Sequence, residues 1–417
     1  MRPGLSRQLM LTASYASGAL TPEGALDSVL NRIEAVNAGL NAIVTFDLPG
    51  ARVAAAAAGA RWRAGQSVGP LDGIPLTVKD NLFVGGLRAT WGSTLFAGFV
   101  APQDETPVAR LRAAGAVIVG KTNTPELSLS GYTNNLVFGS TGNPWAPDLS
   151  PGGSSGGPVA AVASGMGPLA LATDAGGSIR RPAGHAGVAG LKPGLGRVPR
   201  RSGFPPLAHD LQVVGPIARS VADLRAMFAV IAAPRPCPPV PRPPLRIGSF
   251  ATADAAPVEP AVAAAFHAAC DVLRELGHEV TPVDPLWEPD AAAALFGSLA
   301  AVGVARVMAG IEGWETRVTA AIAQQARAGI ATSATDYVGY RRDAIVAGIA
   351  LAAGERLPGA NCREGCQPPR GCDFLDCHQP GGIAGTRCAG PRARGSPAGR
   401  VPADRAAGRR VLAARHG

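Results

Sequence analysis

Two glycine- and serine-rich loops on either side of an apolar span constrain this chain more than any other feature. The first loop is Pro151-Gly-Gly-Ser154-Ser155-Gly-Gly157, and the second is Thr173-Asp174-Ala-Gly-Gly-Ser178. Residues 150–196 carry little charge and many small side chains, which suits close packing of backbone segments. One such loop alone is typical of a flexible turn. Two such loops, joined by a span with the pattern of a strand, are more specific and predict a functional site.

The rest of the chain alternates between helix and strand patterns. Thr21 and Pro22 form a helix start signal, and apolar residues follow at helical spacing through 26–33. Short β-branched or apolar runs at 74–78 and 116–119 predict strands. The same patterns predict helices within 5–48, 51–64, 107–114, 257–275 and 287–353, a strand at 245–250, and a proline-rich linker at 234–244. This alternation predicts an α/β fold.

Length and composition exclude several classes of protein. The chain has 417 residues, 47% of them apolar, which is enough to bury a sizeable core. This composition excludes collagen, coiled coil and wholesale disorder. No run of 18 apolar residues occurs, so we expect no membrane span. Met1 to Leu11 lacks the pattern of a secretion signal, and we therefore expect a mature cytoplasmic protein.

Lysine is rare, which makes each lysine a candidate for chemistry. Only Lys79, Lys121 and Lys192 occur among the 39 basic residues, and the others are arginines. A buried lysine can lose its proton, whereas arginine stays charged. Lys79 directly follows a predicted strand, in Gly73-Ile-Pro-Leu-Thr-Val-Lys79-Asp80.

These residues together predict nucleophilic catalysis. Ser178 follows two glycines, and the N–H groups of Ala175, Gly176, Gly177 and Ser178 would face one concavity and bind an oxyanion. A serine nucleophile needs a base, and the six histidines show no recognisable His-Asp arrangement. A neutral Lys79 would serve as that base, with Ser154 relaying the proton.

Other residues near the loops are predicted to have structural roles. We expect Asp174 and Arg180 to hold the second loop in place, and Lys121 to cap a strand or pair with a carboxylate. We expect His185 to be a core histidine with its hydrogen bonds satisfied, and Trp145 to serve in packing and not as a platform for substrate.

Long motifs, in a characteristic order, resemble the amidase signature family over about residues 9–353. They are Arg32 to Ile43, Gly73 to Asp80, Gly120 to Glu126, Phe138 to Trp145, Pro151 to Pro182, Gly190 to Pro193 and Gly215 to Arg219. The resemblance implies a mixed central sheet covered by helices on both faces. It also implies that Ser178 is the acyl-forming nucleophile, Ser154 the bridging residue and Lys79 the general base, with a cis peptide at Gly153–Ser154.

The resemblance further implies the hydrolysis of a small-molecule carboxylic amide to an acid and ammonia or an amine. No cofactor, metal, nucleic acid or membrane is expected, and a homodimer is possible in this family. One alternative is the glutaminase subunit of a tRNA-dependent amidotransferase, which uses the same three residues with partner subunits. The other is an inactive remnant.

A rival pattern points to a different class of protein. Gly115-Ala-Val-Ile-Val-Gly120-Lys121-Thr122 fits G-x-x-x-x-G-K-[ST], the phosphate loop of nucleotide-binding enzymes. That function needs the four central residues to form a loop, yet Val117 to Val119 has the pattern of a strand. We therefore predict a strand at this position.

The tail at 354–417 departs from the family. It is rich in arginine and contains five of the seven cysteines, Cys362, Cys366, Cys372, Cys377 and Cys388, at spacings unlike those of zinc sites. Codons allowed for Gln379 to Gly385 read N-L-A-G-L-P-A, a family motif, when shifted by one base. We hypothesise a frameshift between about residues 345 and 357, which would leave a disordered tail and an incomplete C-terminal part of the domain. A zinc module is the competing interpretation.

Overall fold

Helices and strands alternate along the chain, as the sequence predicts. The computed structural model describes residues 8–208, 211–234, 244–251, 257–284 and 289–353. The helices are α1 Gln8–Ala16, α2 Pro22–Leu40, α3 Leu48–Arg63, α4 Thr106–Ala113, α5 Gly156–Ala163, α6 Arg180–Ala186, α7 Val221–Ile231, α8 Pro260–Glu275, α9 Pro289–Met308, α10 Ala320–Ala331 and α11 Ala334–Ala353. The strands are β1 Ile43–Phe46, β2 Pro75–Lys79, β3 Val117–Thr122, β4 Leu169–Asp174, β5 Ala189–Gly190, β6 Val213–Ala218, β7 Arg246–Ser249 and β8 Glu279–Pro282.

Six of these strands form one mixed sheet in the order β1-β3-β2-β4-β6-β5. Strand β2 lies at its centre and runs parallel to both β3 and β4. The pairs β1–β3, β4–β6 and β5–β6 are antiparallel. Strands β7 and β8 form a separate parallel pair. The mixed sheet that the resemblance implies is therefore confirmed.

Helices cover both faces of this sheet because its strands are apolar on both sides. Leu169 and Leu171 of β4 contribute to a core shared with α1, α4 and α7. Ala170 and Ala172 face the other side and pack against α5 and α6. On that same side, residues of α2, α3 and α5 bury the alternate residues of β3. The central strands are consequently inaccessible to water along most of their length.

A second core joins the region after β2 to the helices α9 and α10. Phe83, Trp91 and Phe204 form its aromatic centre, and the rings of Trp91 and Phe204 stack with their centroids 4.6 Å apart. Val304 and Met308 of α9 complete it. This core matters for function because it positions α9 beside the glycine-rich loops.

Helix α9 also bears on the expectation that no membrane span is present. Over Asp290–Met308 it is long and apolar enough to cross a membrane, and it is the one such helix within the described residues. About a third of it is buried, and it packs against α10 and α11. Core helices of soluble proteins pass the same test, so its length and hydropathy are a weak indication of membrane insertion.

Several predicted boundaries are confirmed by the local geometry. Thr21 caps α2, its hydroxyl accepting a hydrogen bond from the Gly24 amide at 3.1 Å, and Pro22 is the first helical residue. The predicted strand at 116–119 is β3, which removes the phosphate-loop interpretation of Lys121. Most of the predicted linker at 234–244 and the whole tail at 354–417 lie outside the described residues.

Candidate active site

Lys79 ends β2 at the centre of the sheet, with its side chain completely buried. Because side chains alternate along a strand, it points away from the core that holds Leu76 and Val78. Its Nζ lies 2.8 Å from Ser154 Oγ, 3.1 Å from Ser155 Oγ and 3.2 Å from Thr173 Oγ1. The two glycine-rich loops therefore meet at this lysine, as the sequence predicts.

Burial gives Lys79 a pKa suited to proton transfer. Removal of the ammonium from water lowers the pKa to about 7 from its ordinary value of 10.5. The negative charge of Asp174 opposes this shift, and the positive charge of Arg200 adds to it. At neutral pH a substantial share of Lys79 is therefore the uncharged amine, which can accept a proton.

The first loop is held by hydroxyl groups on either side of Ser154. The Gly153–Ser154 peptide bond is cis, as the resemblance implies. Thr133 Oγ1 donates to the Gly152 carbonyl at 2.9 Å, and Thr124 Oγ1 donates to the Ser154 carbonyl at 3.0 Å. A Cβ at Gly153 would stand 2.6 Å from the Ser130 carbonyl oxygen, so this position requires glycine. The loop then continues directly into α5.

Ser178 lies in the second loop, between the end of β4 and the start of α6. Its carbonyl accepts a hydrogen bond from the Ser155 amide at 3.1 Å, which ties the two loops together. Its side chain is half-buried and lines one cavity with Ser154 and Thr173. Within the described part of the chain, no hydrogen bond joins the Ser178 hydroxyl to Ser154.

The predicted oxyanion hole needs one correction. The Gly177 amide donates to Asp174 Oδ1 at 2.8 Å, so this N–H is engaged and does not face the cavity as a free donor. The amides of Ala175, Gly176 and Ser178 stay the predicted donors of the oxyanion hole. The sequence pattern does not reveal this hydrogen bond, because it depends on how the Asp174 side chain folds back onto the backbone three residues later.

Asp174 and Arg180 hold the second loop, as predicted. Arg180 contacts both carboxylate oxygens of Asp174, with its Nε 3.0 Å and its Nη2 2.9 Å from them. The backbone amides of Ile179 and Arg180 donate to the same carboxylate. Burial by itself would raise the pKa of Asp174, but these hydrogen bonds lower it to about 2. The carboxylate therefore stays ionised at any pH at which activity would be measured.

Asp174→Asn is expected to slow reaction at Ser178 by about 100-fold, because an amide group presents two N–H donors where the loop needs acceptors. The measurement is the rate at which a fluorophosphonate labels the protein. Arg180→Lys is the control, since it keeps the carboxylate and a positive charge and should slow labelling less. Equal labelling of wild type and Asp174→Asn would contradict this role.

The remaining predicted side chains have mixed outcomes. Lys121 is fully buried with its Nζ 3.5 Å from Asp80 Oδ1, so pairing with a carboxylate is confirmed. The interior position predicted for His185 is wrong. His185 is exposed, and Trp145 is 73% exposed with its Nε1 donating to the Ala186 carbonyl at 2.9 Å. His185 lies within α6, and Trp145 contacts the last residue of that helix.

Two contacts of Lys79 are not evident from the sequence pattern. Ser155 lies in the first loop without a predicted role, and Thr173 is only the first residue of the second loop. The signal for Thr173 is its place at the end of a strand predicted between the two loops. A strand parallel to β2 brings its end level with the end of β2, which is where Lys79 lies.

The cavity beside Ser178 is mainly apolar. Its volume is about 30 Å³, which admits water, since one water molecule needs roughly 10–15 Å³. The lining residues are Leu127, Ser128, Leu129, Ser154, Thr173, Ala175, Ser178, Leu207, Ala208, Gln212 and Phe296. Phe296 of α9 lies over the second loop, and a Cβ at Gly176 would stand 3.1 Å from its ring.

A buried lysine in contact with Ser154, with Ser178 close by in a glycine-rich loop, is the arrangement of a class of serine hydrolases in which lysine replaces histidine. The chain belongs to the amidase family, whose model matches residues 25–336. The matched region includes both glycine-rich loops and Lys79.

Curated relatives and solved structures agree with this assignment. The chain is 43% identical over 293 residues to a glutamyl-tRNA(Gln) amidotransferase subunit of Roseiflexus castenholzii, covering 67% of this chain and 58% of that protein. It is 41% identical over 288 residues to indoleacetamide hydrolase of Bradyrhizobium diazoefficiens, covering 65% and 55%. The crystal structure of a bacterial aryl acylamidase of the amidase signature family superposes with a TM-score of 0.76 at 26% identity, covering 87% of this chain and 82% of that one. The chain thus spans little more than half the length of these two curated relatives.

Proposed function

We propose that this protein hydrolyses a carboxylic amide to an acid and ammonia or an amine through an acyl-enzyme on Ser178. The observation that carries the proposal is the 2.8 Å contact between the buried Lys79 amine and Ser154, in a cavity that Ser178 also lines. A lysine with a pKa near 7 is a suitable general base at neutral pH. Family membership supports the same reaction.

In this mechanism Lys79 accepts the hydroxyl proton of Ser154 while Ser154 accepts that of Ser178. The Ser178 oxygen attacks the amide carbon, and the carbonyl oxygen becomes an anion. The amides of Ala175, Gly176 and Ser178 stabilise that anion. The proton returns from Lys79 through Ser154 to the leaving nitrogen, the C–N bond breaks, and water then hydrolyses the acyl-enzyme by the same proton route.

The cavity supports an uncharged acyl group. Leu127, Leu129, Leu207 and Phe296 provide its apolar walls, and its polar groups within the described residues are hydroxyls and the Gln212 amide. An apolar wall favours an acyl group without charge, since burying an unpaired charge there would cost several kcal/mol. Neutral aliphatic or aryl amides therefore fit better than amino-acid amides.

Phe296→Ala is expected to raise kcat/KM for phenylacetamide relative to acetamide by about 10-fold, because the ring no longer limits the space beside Ser178. Leu295→Ala is the matched control, since Leu295 precedes it on α9 and does not line the cavity. An unchanged ratio in Phe296→Ala would show that this ring does not limit the acyl group.

A glutaminase subunit of an amidotransferase is the second candidate, because the 43% identical relative is named as an amidotransferase subunit. Glutamine is the discriminating substrate. Hydrolysis of glutamine that requires added partner subunits would favour this candidate, and hydrolysis of neutral amides by the protein alone would favour the amidase.

The experiment that tests the proposal is fluorophosphonate labelling of the purified chain, followed by mass spectrometry of the labelled peptide. We expect a single adduct on Ser178 and then turnover in a screen of neutral amides. Soluble protein without an adduct would overturn the proposal and favour the inactive remnant.

Two further expectations from the sequence belong to this proposal. They are a homodimer and a cytoplasmic location, the latter expected from the N-terminal sequence. Sedimentation of the purified protein would test the dimer, with a mass twice 42.1 kDa as the expected result.

A further inference from the structure

Three hydroxyl groups surround the Lys79 amine, more than the proposed proton relay uses. Ser154 is the relay residue, whereas Ser155 at 3.1 Å and Thr173 at 3.2 Å have no part in the transfer itself. All three hydroxyls are buried together with the lysine. Their arrangement determines where the lone pair of the uncharged amine points.

The number of hydrogen-bond donors and acceptors around Lys79 limits how the amine can be oriented. An uncharged amine has two N–H groups and one lone pair, so two of the three hydroxyls accept from Lys79 and one donates to it. Proton transfer requires that the donating hydroxyl be Ser154. A lone pair directed at Ser155 or Thr173 would leave the relay broken.

The contacts of Ser155 favour this arrangement, and those of Thr173 are compatible with it. The Ser155 hydroxyl donates to the Thr173 carbonyl at 3.4 Å, so its oxygen faces Lys79 as an acceptor. Thr173 Oγ1 is held by the Asn81 amide nitrogen at 2.9 Å, which fixes this oxygen beside the lysine. The contact with Ser154 is the shortest of the three, at 2.8 Å.

We propose that Ser155 and Thr173 are positioning residues that hold two N–H groups of Lys79, so that its lone pair faces Ser154. The inference rests on the proposed function. When the Ser154 O–H bond breaks and a third N–H bond forms on Lys79, the ammonium has three donors for three hydroxyls. Ser154 then receives the proton of Ser178. The same three contacts therefore satisfy both the uncharged and the charged form of Lys79.

Thr173→Val tests the inference, because valine keeps the shape of threonine and removes the hydroxyl. Loss of an acceptor destabilises the ammonium form, so the rise of the labelling rate with pH is expected to move to lower pH. The maximum rate of fluorophosphonate labelling is expected to fall about 10-fold because the amine is less often aligned with Ser154. Thr173→Ser should restore both, and Ser155→Ala should shift the profile in the same direction.

Thr77→Val is the matched control. Thr77 is buried two residues before Lys79 on β2, and its hydroxyl has no hydrogen-bond partner within the described residues. This substitution makes the same change of volume and chemistry beside the site, and we expect the pH profile and the rate of wild type. Melting temperatures of all variants show whether each one is folded.

The outcomes distinguish the positioning role of Ser155 and Thr173 from the proposed amidase function. Wild type that labels on Ser178, with Thr173→Val matching its rate and pH profile, overturns the positioning role and leaves the amidase proposal intact. A slower Thr173→Val with an unmoved pH profile also overturns it, since a structural defect would act in that way. Wild type that does not label removes both proposals.

Discussion

Ser178→Ala is expected to abolish amide hydrolysis and fluorophosphonate labelling, with kcat falling by about 10⁴-fold or more. The substitution removes the only atom in the proposed mechanism that bonds to the acyl group, so no acyl-enzyme forms. Serine hydrolases lose activity on this scale when the nucleophile is removed. The measurement is turnover of a neutral amide, with labelling as an independent readout that needs no knowledge of the substrate.

Lys79→Met should reduce activity about as much, because methionine keeps the apolar stem and removes the amine that accepts the proton. Ser154→Ala should cost less, since a water molecule in the cavity could relay the proton. The wild-type rate should rise with pH through about 7, because Lys79 accepts a proton only in its uncharged form. Full activity of Ser178→Ala would show that the assigned mechanism is wrong.

Gly303→Ala is expected to destabilise the protein by about 3 kcal/mol. Gly303 lies in the buried half of α9, and a Cβ there would overlap the carbonyl oxygen of Leu207. The helix cannot move away easily, because α9 also packs closely against α10. Leu207 also lines the cavity, so the displacement would reach the site.

Gly297→Ala on the same helix provides the matched comparison. Its Cβ would meet no atom within 4 Å. The substitution should therefore stabilise the protein by roughly 0.5–1 kcal/mol, because alanine has less backbone entropy to lose on folding than glycine. Urea unfolding of both variants measures the difference directly. Equal stability of the two variants would contradict the close approach of α9 to Leu207.

Local patterns predict most of the fold. The capping residue Thr21 and the apolar spacing after it are enough to predict α2, and β-branched runs are enough for β3. The two glycine-rich loops and the scarcity of lysine single out Lys79, Ser154 and Ser178 as a group. The resemblance adds the mixed sheet and the cis peptide, both of which the structure contains.

Other features depend on contacts that a sequence pattern does not encode. Asp174 takes the Gly177 amide out of the predicted oxyanion hole, because the turn brings that N–H within 2.8 Å of the carboxylate. His185 is expected in the core, yet it lies on the exposed side of α6. Phe296 reaches the cavity from more than a hundred residues downstream, through the packing of α9.

The sequence by itself determined which side chains are available for the chemistry, because spacing and residue type select a nucleophile, a relay and a base. The tertiary structure alone decided the state of that base. Lys79 acquires a pKa near 7 only when the sheet buries it, and its hydroxyl partners come from the first loop and from the end of strand β4. Desolvation and hydrogen-bond direction are properties of the packed molecule, and they arise only when these distant segments meet.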